Sequence, residues 1–244
     1  VYHINEGHAA FLLFERISRE MKMRNLSFGE AKDLVWSTSV FTTHTPVPAG
    51  NERFSLDLVK KYSKCVLGDL DINYEDFLAL GRENPEDKDE EFCMTVLALK
   101  LTAFANGVSQ LHGEVSREMW TRLFPGVPVE EIPIQGITNG VHAMSWVGNK
   151  IKNLFRAYEH TQELNIMHLN DAHEISNMAL WKAHIEQKER LVLECRKKKR
   201  DFIARHGIFN KNERFSFGEI LDPNYLTIGF ARRFATYKRG ALIL

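Results

Sequence analysis

Apolar positions recur along this chain with two periods, one helical and one extended. Between Ala9 and Met23 they fall at Phe11, Leu12, Phe14, Ile17 and Met21, close to the spacing of a helix face. Glu15, Arg16 and Glu20 lie between them and are expected on its exposed side. Ser27 followed by Glu30 has the form of a capping box and predicts a helix from Gly29 to about Ser37. Leu56–Val66 reads as helical, Asn73 opens another short helix, and 81–89 is an acidic loop in which Pro85 stops any helix. Phe92 to about Met119 reads as the longest helix of the first half, with Gly107 inside it. A glycine there costs about 1 kcal/mol relative to alanine, so close packing or a ligand would account for it. Short β-branched or apolar runs predict strands at Val1–Ile4, Ser39–Thr43, Ile132–Ile137 and Leu226–Phe230. Beyond Trp146 the pattern is helical. Asp171–Arg205 forms one or two helices ending near Gly207, and Asn210–Pro223 is loop-rich.

Strands separated by helical stretches make this an α/β chain. In open α/β sheets, ligands sit where the chain leaves the carboxyl ends of the strands. The first such join is Ser39–Thr43 into His44-Thr-Pro-Val-Pro-Ala-Gly50, whose prolines and glycine fix a rigid loop. The second is Ile132–Ile137 into Thr138-Asn-Gly-Val-His142, and the third is Leu226–Phe230 into Arg232 and Arg233, with Lys238 and Arg239 close behind. If the strands are parallel, these turns face the same edge. Asn5-Glu-Gly-His8 adds a polar turn after the first strand. Glu6, His8, His44, Asn139, Arg233 and Lys238 then combine a carboxylate, neutral hydrogen-bonding groups and cations. That set suits a polyhydroxylated, phosphate-bearing ligand, with Arg as a bidentate donor and Lys as a point charge. The plainer readings are a solvated basic turn at Arg232–Arg239 and a His44 that caps its own turn.

Composition narrows the choice. Lys and Arg number 32 and so do Asp and Glu, so no global field recruits nucleic acid or an anionic membrane. The basic run Arg196–Arg200 lies in a helical stretch and reads as a solvated face. The 3 cysteines have neither metal spacing nor a disulfide pattern, which favours a reducing cytoplasm. No apolar run is long enough for a membrane span. His3, Glu6 and His8 lack a matching ligand set, so no metal is expected. Neither end of the chain looks natural, since Val1 enters mid-pattern and Leu244 stops within an apolar stretch. An interior piece of a longer protein is therefore expected, with a hinge near Trp146.

Five segments carry a resemblance. They are His3-Ile-Asn-Glu-Gly-His-Ala-Ala-Phe11, Thr42-Thr-His-Thr-Pro-Val-Pro-Ala-Gly50, Ala105-Asn-Gly-Val-Ser-Gln-Leu-His112, Gly136-Ile-Thr-Asn-Gly-Val-His142 with Trp146, and Gly229-Phe-Ala-Arg-Arg-Phe-Ala-Thr-Tyr-Lys-Arg239. In this order the chain resembles the α-glucan (glycogen, starch, maltodextrin) phosphorylases, most of all their shorter bacterial and archaeal branch. The resemblance implies parts of two Rossmann-like domains of GT-B type, both incomplete, with residues 1–145 on the glucan side and 146–244 on the phosphate and cofactor side. It implies transfer of a terminal glucosyl unit to inorganic phosphate, giving glucose 1-phosphate, with pyridoxal 5′-phosphate working through its phosphate group. By the same resemblance His44 and Asn139 would contact the sugar's hydroxymethyl end, with Thr45 also on the substrate side. Arg233 and Lys238 would grip the substrate phosphate. Arg232 and Trp146 would lie by the cofactor, and Glu6 and His8 would face the glucan acceptor. Glu6 stands where many relatives have Asp, and His142 where many have Thr. The cofactor's lysine is expected outside this segment, so the segment alone is expected to be inactive. Partners implied are α-glucan and phosphate, in a cytoplasmic protein for which a homodimer is allowed. A nucleotide-sugar glucan synthase of the same architecture and a non-catalytic glucan-binding piece remain the alternatives.

Overall fold

The structure, a computed structural model, describes residues 1–159, 175–206, 221–233 and 235–243. The chain divides into two compact units, Val1–Asn139 and Gly140–Leu244. The first contains strand β1 (Tyr2–Asn5), helices α1 (Phe11–Arg24) and α2 (Phe28–Ser37), and β2 (Ser39–Thr43). A two-residue strand β3 (Arg53–Phe54) and helices α3 (Leu56–Tyr62), α4 (Lys64–Leu70) and α5 (Tyr74–Gly81) follow. The unit continues with β4 (Phe92–Cys93), α6 (Met94–Lys100), β5 (Phe104–Gly107), α7 (Gln110–Met119) and β6 (Ile134–Gly136).

Strands β1, β2, β5 and β6 form one sheet in that order, and every pairing is parallel. Parallel neighbours need long crossovers, and the helices between them supply these. The register puts Ile4, Phe41, Ala105 and Ile134 in one row. Ile4, Phe41 and Ile134 are buried in the core, whereas the alternate positions Asn5, Thr42, Asn106 and Gln135 form a polar row on the opposite face. Leu13, Phe14 and Ile17 of α1, Ala31 and Val35 of α2, and Leu97 and Leu101 at α6 close over the apolar face. Phe77 of α5 stacks on Phe14 at 4.9 Å and on Phe92 at 5.3 Å, tying α5 and the short β3–β4 pair to that core.

Local sequence accounts for the start of α2. Ser27 accepts from the Glu30 amide at 3.3 Å, and Glu30 accepts from the Ser27 amide at 2.8 Å, the reciprocal capping box that the residues predict. The hydroxyl and amide of Ser27 hold the Glu30 carboxyl below its ordinary range. At the end of α5, Lys100 donates to the carbonyls of Ala79 (2.8 Å) and Arg82 (2.6 Å), and burial pulls its ammonium below the ordinary lysine value.

Four expectations are corrected. Arg16 is not on an exposed face: it is buried, stacks 3.6 Å over the Tyr2 ring, and donates to Ser39 Oγ (2.6 Å) and Thr38 Oγ1 (2.9 Å). Burial lowers its pKa, against the neighbouring Tyr2 and Glu20. It joins the first turns of the sheet to α1, a use of arginine that helical periodicity does not reveal. The long helix from Phe92 to Met119 is instead β4, α6, β5 and α7. Thr102 turns its hydroxyl back to the Ala98 carbonyl at 2.8 Å, and Ala103 donates to Trp36 and Ser39, after which 104–107 enter the sheet between β2 and β6. Pairing on both sides overrides the local apolar period. The helix expected over Leu56–Val66 breaks at Ser63, between α3 and α4.

The second unit contains α8 (Ala143–Trp146), α9 (Asn149–Glu159) and α10 (Asn177–His206). Phe155 and Ile175 form its buried centre, with Ile151, Leu154, Ala179 and Leu180 against them, and Lys150 pairs with Glu186 at 2.6 Å. The fourth correction falls here. Leu226–Phe230 is not a strand, and Leu226 and Ile228 are 86% and 69% exposed. A strand needs a paired neighbour, and this unit has none among the described residues. The cations that follow lie beside two short 3-10 turns, Thr236–Lys238 and Gly240–Ile243. The expected end at Gly207 and most of the loop from Asn210 fall outside the described residues. No described helix is long and apolar enough to cross a membrane.

Candidate functional site

Because its strands are all parallel, the sheet of the first unit delivers four chain exits to one edge. Glu6 leaves β1, His44 leaves β2, Val108 leaves β5, and 137–139 leave β6. Asn139 donates its amide to the Val108 carbonyl at 3.1 Å, and Ile137 donates to Gly107 at 3.0 Å, so the last two exits lie side by side. Ser109 caps α7 by accepting from the His112 amide at 3.1 Å. A Cβ at Gly107 would sit 2.9 Å from the Gly113 nitrogen, and one at Gly113 would sit 2.8 Å from Gly136 Cα. Glycine at these positions lets α7 lie directly on the strand ends, the close packing expected of Gly107 though in a different element.

The exits of β1 and β2 are joined by hydrogen bonds. Glu6 Oε1 accepts from the Gly7 amide at 2.9 Å, and Oε2 accepts from the His44 amide at 2.8 Å and the Thr45 hydroxyl at 2.9 Å. The His44 ring meets Asn5 Oδ1 through Nε2. Glu6 has φ 75° and ψ 158°, a region almost reserved for glycine. A side chain held there costs on the order of 1–3 kcal/mol, and such strain gathers at functional sites. One residue back from the edge, Thr42 donates to Asn106 Oδ1 at 2.8 Å and so accepts from His3 Nε2 at 2.8 Å, which puts a proton on that nitrogen. The edge thus offers hydroxyl, amide, imidazole and carboxylate groups, the donors and acceptors a polyol needs.

Glu6, His44, Thr45 and Asn139, expected at turns after strands, lie at turns that the structure brings to one edge. His8 is exposed in a 3-10 turn, Gly7–Ala9, and makes no hydrogen bond among the described residues. The exit of β5 was missed because it read as helix, although Gly107 followed by a capping Ser109 was its signal. Asn5 and Asn106 were missed too, since their partners lie on other strands. No group of three or more His, Cys, Asp or Glu among the described residues is arranged to hold a metal ion. A separate polar crevice of about 870 Å³ is lined by Arg53, Glu83, Glu90 and Lys100, among others. Arg53 there is paired with Glu83 and Glu90: burial works against its cation, but the bond to Glu83 and the nearby acids raise its pKa overall.

In the second unit, Arg233 and Lys238 share one aromatic ring. Arg233 Nη2 approaches Tyr237 Oη at 3.4 Å, and Lys238 Nζ lies 4.6 Å from the Tyr237 ring centre. Arg232, Arg233 and Lys238 have no carboxylate partner among the described residues. Trp146, at the end of α8, is 81% exposed.

The sequence matches the profile of the carbohydrate phosphorylases over residues 1–244. The chain belongs to the carbohydrate phosphorylase family. It is similar to maltodextrin phosphorylase of Thermococcus litoralis, with 42% identity over 255 positions that cover all of this chain and 28% of that protein. It is similar to glycogen phosphorylase of Mycobacterium tuberculosis, at 38% identity over 100% of this chain and 29% of that protein. Glycogen phosphorylase of Aquifex aeolicus is 32% identical over 99% of this chain and 35% of its own length. The chain therefore spans about a third, or less, of the length of these relatives. The match runs through both units of this phosphorylase-family chain, including the strand exits and the cationic stretch.

Proposed function

We propose that this chain is part of an α-1,4-glucan phosphorylase, a glycosyltransferase that moves the terminal glucosyl unit of an α-glucan to inorganic phosphate and releases glucose 1-phosphate. The observation that carries the reading is the gathering of Glu6, His44, Thr45 and Asn139 at one sheet edge, in a chain of this family. On this reading residues 1–145 belong to a glucan-side Rossmann-like domain, and 146–244 begin a phosphate-side domain of GT-B type. His44 and Asn139 bind the hydroxymethyl end of the sugar, with Thr45 on the same turn. Arg233 and Lys238 bind the substrate phosphate. Their charges have no carboxylate partner among the described residues, and cations near two phosphates offset a repulsion of about several kcal/mol. His8, exposed beside Glu6, faces the acceptor. The protein is cytoplasmic, with a homodimer as one assembly to be tested.

The residues present suit pyridoxal 5′-phosphate in part. Arg232 offers an exposed guanidinium with no carboxylate partner among the described residues, fit for a phosphate, and Trp146 offers an open indole face. Bound, the cofactor supplies a phosphate acid–base group. What this chain adds is the grip on that phosphate from Arg232, the grip on the substrate phosphate from Arg233 and Lys238, and the orientation of the sugar by His44 and Asn139. The test is an assay of the full-length protein with maltodextrin and phosphate, and in reverse with glucose 1-phosphate. Phosphate-dependent formation of glucose 1-phosphate is expected, with no turnover by the 244-residue chain alone. Use of a nucleotide sugar without phosphorolysis would overturn the reading.

A further inference from the structure

We infer that Glu6 is a positioning residue for His44 and not a ligand of the glucan. The inference rests on the phosphorylase reading and deepens it. Three donors from two chain exits converge on the Glu6 carboxylate: the amides of Gly7 and His44 and the hydroxyl of Thr45. Glu6 also donates its own amide to the Thr42 carbonyl at 2.8 Å, so its backbone and its side chain hold β2 on both sides of Thr43. Its φ of 75° is what allows the carboxylate to meet the amide that follows it and the exit of the next strand together.

The far end of the same loop is held as well. A Cβ on Gly50 would lie 2.6 Å from Thr45 Cγ2, so the loop closes on itself. Asn51 accepts from Thr95 Oγ1 at 2.9 Å, and that same hydroxyl lies 2.7 Å from where a Gly7 Cβ would be. The contacts run in a ring from Glu6 through Thr45, Gly50, Asn51 and Thr95 to Gly7, which is bonded to Glu6. His44 sits in this ring with its amide committed to Glu6 and its Nε2 to Asn5. What it has left for a sugar hydroxyl is ring Nδ1 and the main-chain carbonyl. Glu6 therefore fixes the His44 main chain while Asn5 holds its ring, and Glu6 acts on the substrate through His44.

The test compares Glu6→Gln and Glu6→Asp in the full-length enzyme, together with amide NMR on ¹⁵N-labelled protein. Glu6→Gln removes the negative charge and sets an amide group among three donors. A fall in kcat of about 10–100-fold is expected, with KM for glucan and phosphate changed less than about threefold. Glu6→Asp keeps the charged acceptor and recovers most of that loss. The His44 amide resonance, shifted downfield by its carboxylate partner, moves upfield in Glu6→Gln. A raised glucan KM with unchanged kcat makes Glu6 a direct ligand and overturns the proposal. So does a His44 amide that ignores the substitution. If the wild-type protein shows no phosphorolysis, the phosphorylase reading fails by itself, and the amide shift alone decides whether the Glu6 clamp exists.

Discussion

The sheet edge of the first unit and the cationic stretch of the second hold their candidate groups in different ways. At the edge, Glu6, His44 and Asn139 come from three different strand exits and are fixed by parallel ladders and by bonds between exits. In the cationic stretch, Arg233 and Lys238 are held among the described residues by near neighbours in sequence, Ala235 through the main chain and Tyr237 through its side chain, and no described strand stands behind them. An edge built from many segments transmits any disturbance of its core to its functional groups. A stretch ordered by near neighbours can lose a cation without loss of stability. Substitutions in the two regions should therefore separate stability from activity.

The largest effect is expected from Phe77→Ala, which empties a fully buried position between Phe14 and Phe92 in the core of the first unit. A loss of about 4 kcal/mol in chemical denaturation follows from the cavity left in an aromatic core. Arg233→Ala in the full-length enzyme should do the reverse. The phosphate kcat/KM falls about 100–1000-fold, while the denaturation midpoint stays put because the side chain is exposed. Unchanged phosphate kinetics would remove the role assigned to Arg233.

Lys100→Met should cost about 2 kcal/mol, since the carbonyls of Ala79 and Arg82 lose a charged donor. Urea melts read this directly, and a neutral result would mean that water replaces the ammonium. Ser27→Ala should cost about 1 kcal/mol through loss of the helix cap. Here pH adds a check. The Glu30 carboxyl is depressed in the folded chain. Its contribution is present above the unfolded carboxyl value and is lost as pH falls through the folded one. The gap between wild type and Ser27→Ala should therefore narrow in acid; a gap independent of pH would contradict the box. The smallest effect is expected for Lys197→Ala on the exposed face of α10, within about 0.5 kcal/mol in the same melts.

Much of the edge was legible beforehand because each exit carries its chemistry next to a strand with a local signature. Ser39–Thr43 is β-branched and ends in a proline-fixed loop, so both β2 and the position of His44 could be read without a structure. The capping box of α2 is equally local. The stretch 92–119 was not legible: its apolar residues fit a helical period, and only pairing with β2 and β6 makes 104–107 a strand. Leu226–Phe230 misled in the opposite sense, having the composition of a buried strand but no paired neighbour among the described residues. Arg16 shows the same limit for side chains, because its partners Tyr2, Thr38 and Ser39 are set by the packing of α1 on the sheet.

By itself, then, the sequence determined the family, the α/β class, the turns that carry polar chemistry and the caps that start helices. All of these depend on residues close together in the chain or on motifs in a fixed order. Only the tertiary structure decided that β5 is a strand, that Arg16 is buried, and that the Glu6 carboxylate is committed to His44 and Thr45. Those outcomes depend on groups tens of residues apart meeting across a parallel sheet. No local propensity encodes such a meeting, because its free energy comes from pairing and burial that exist only once the sheet has formed.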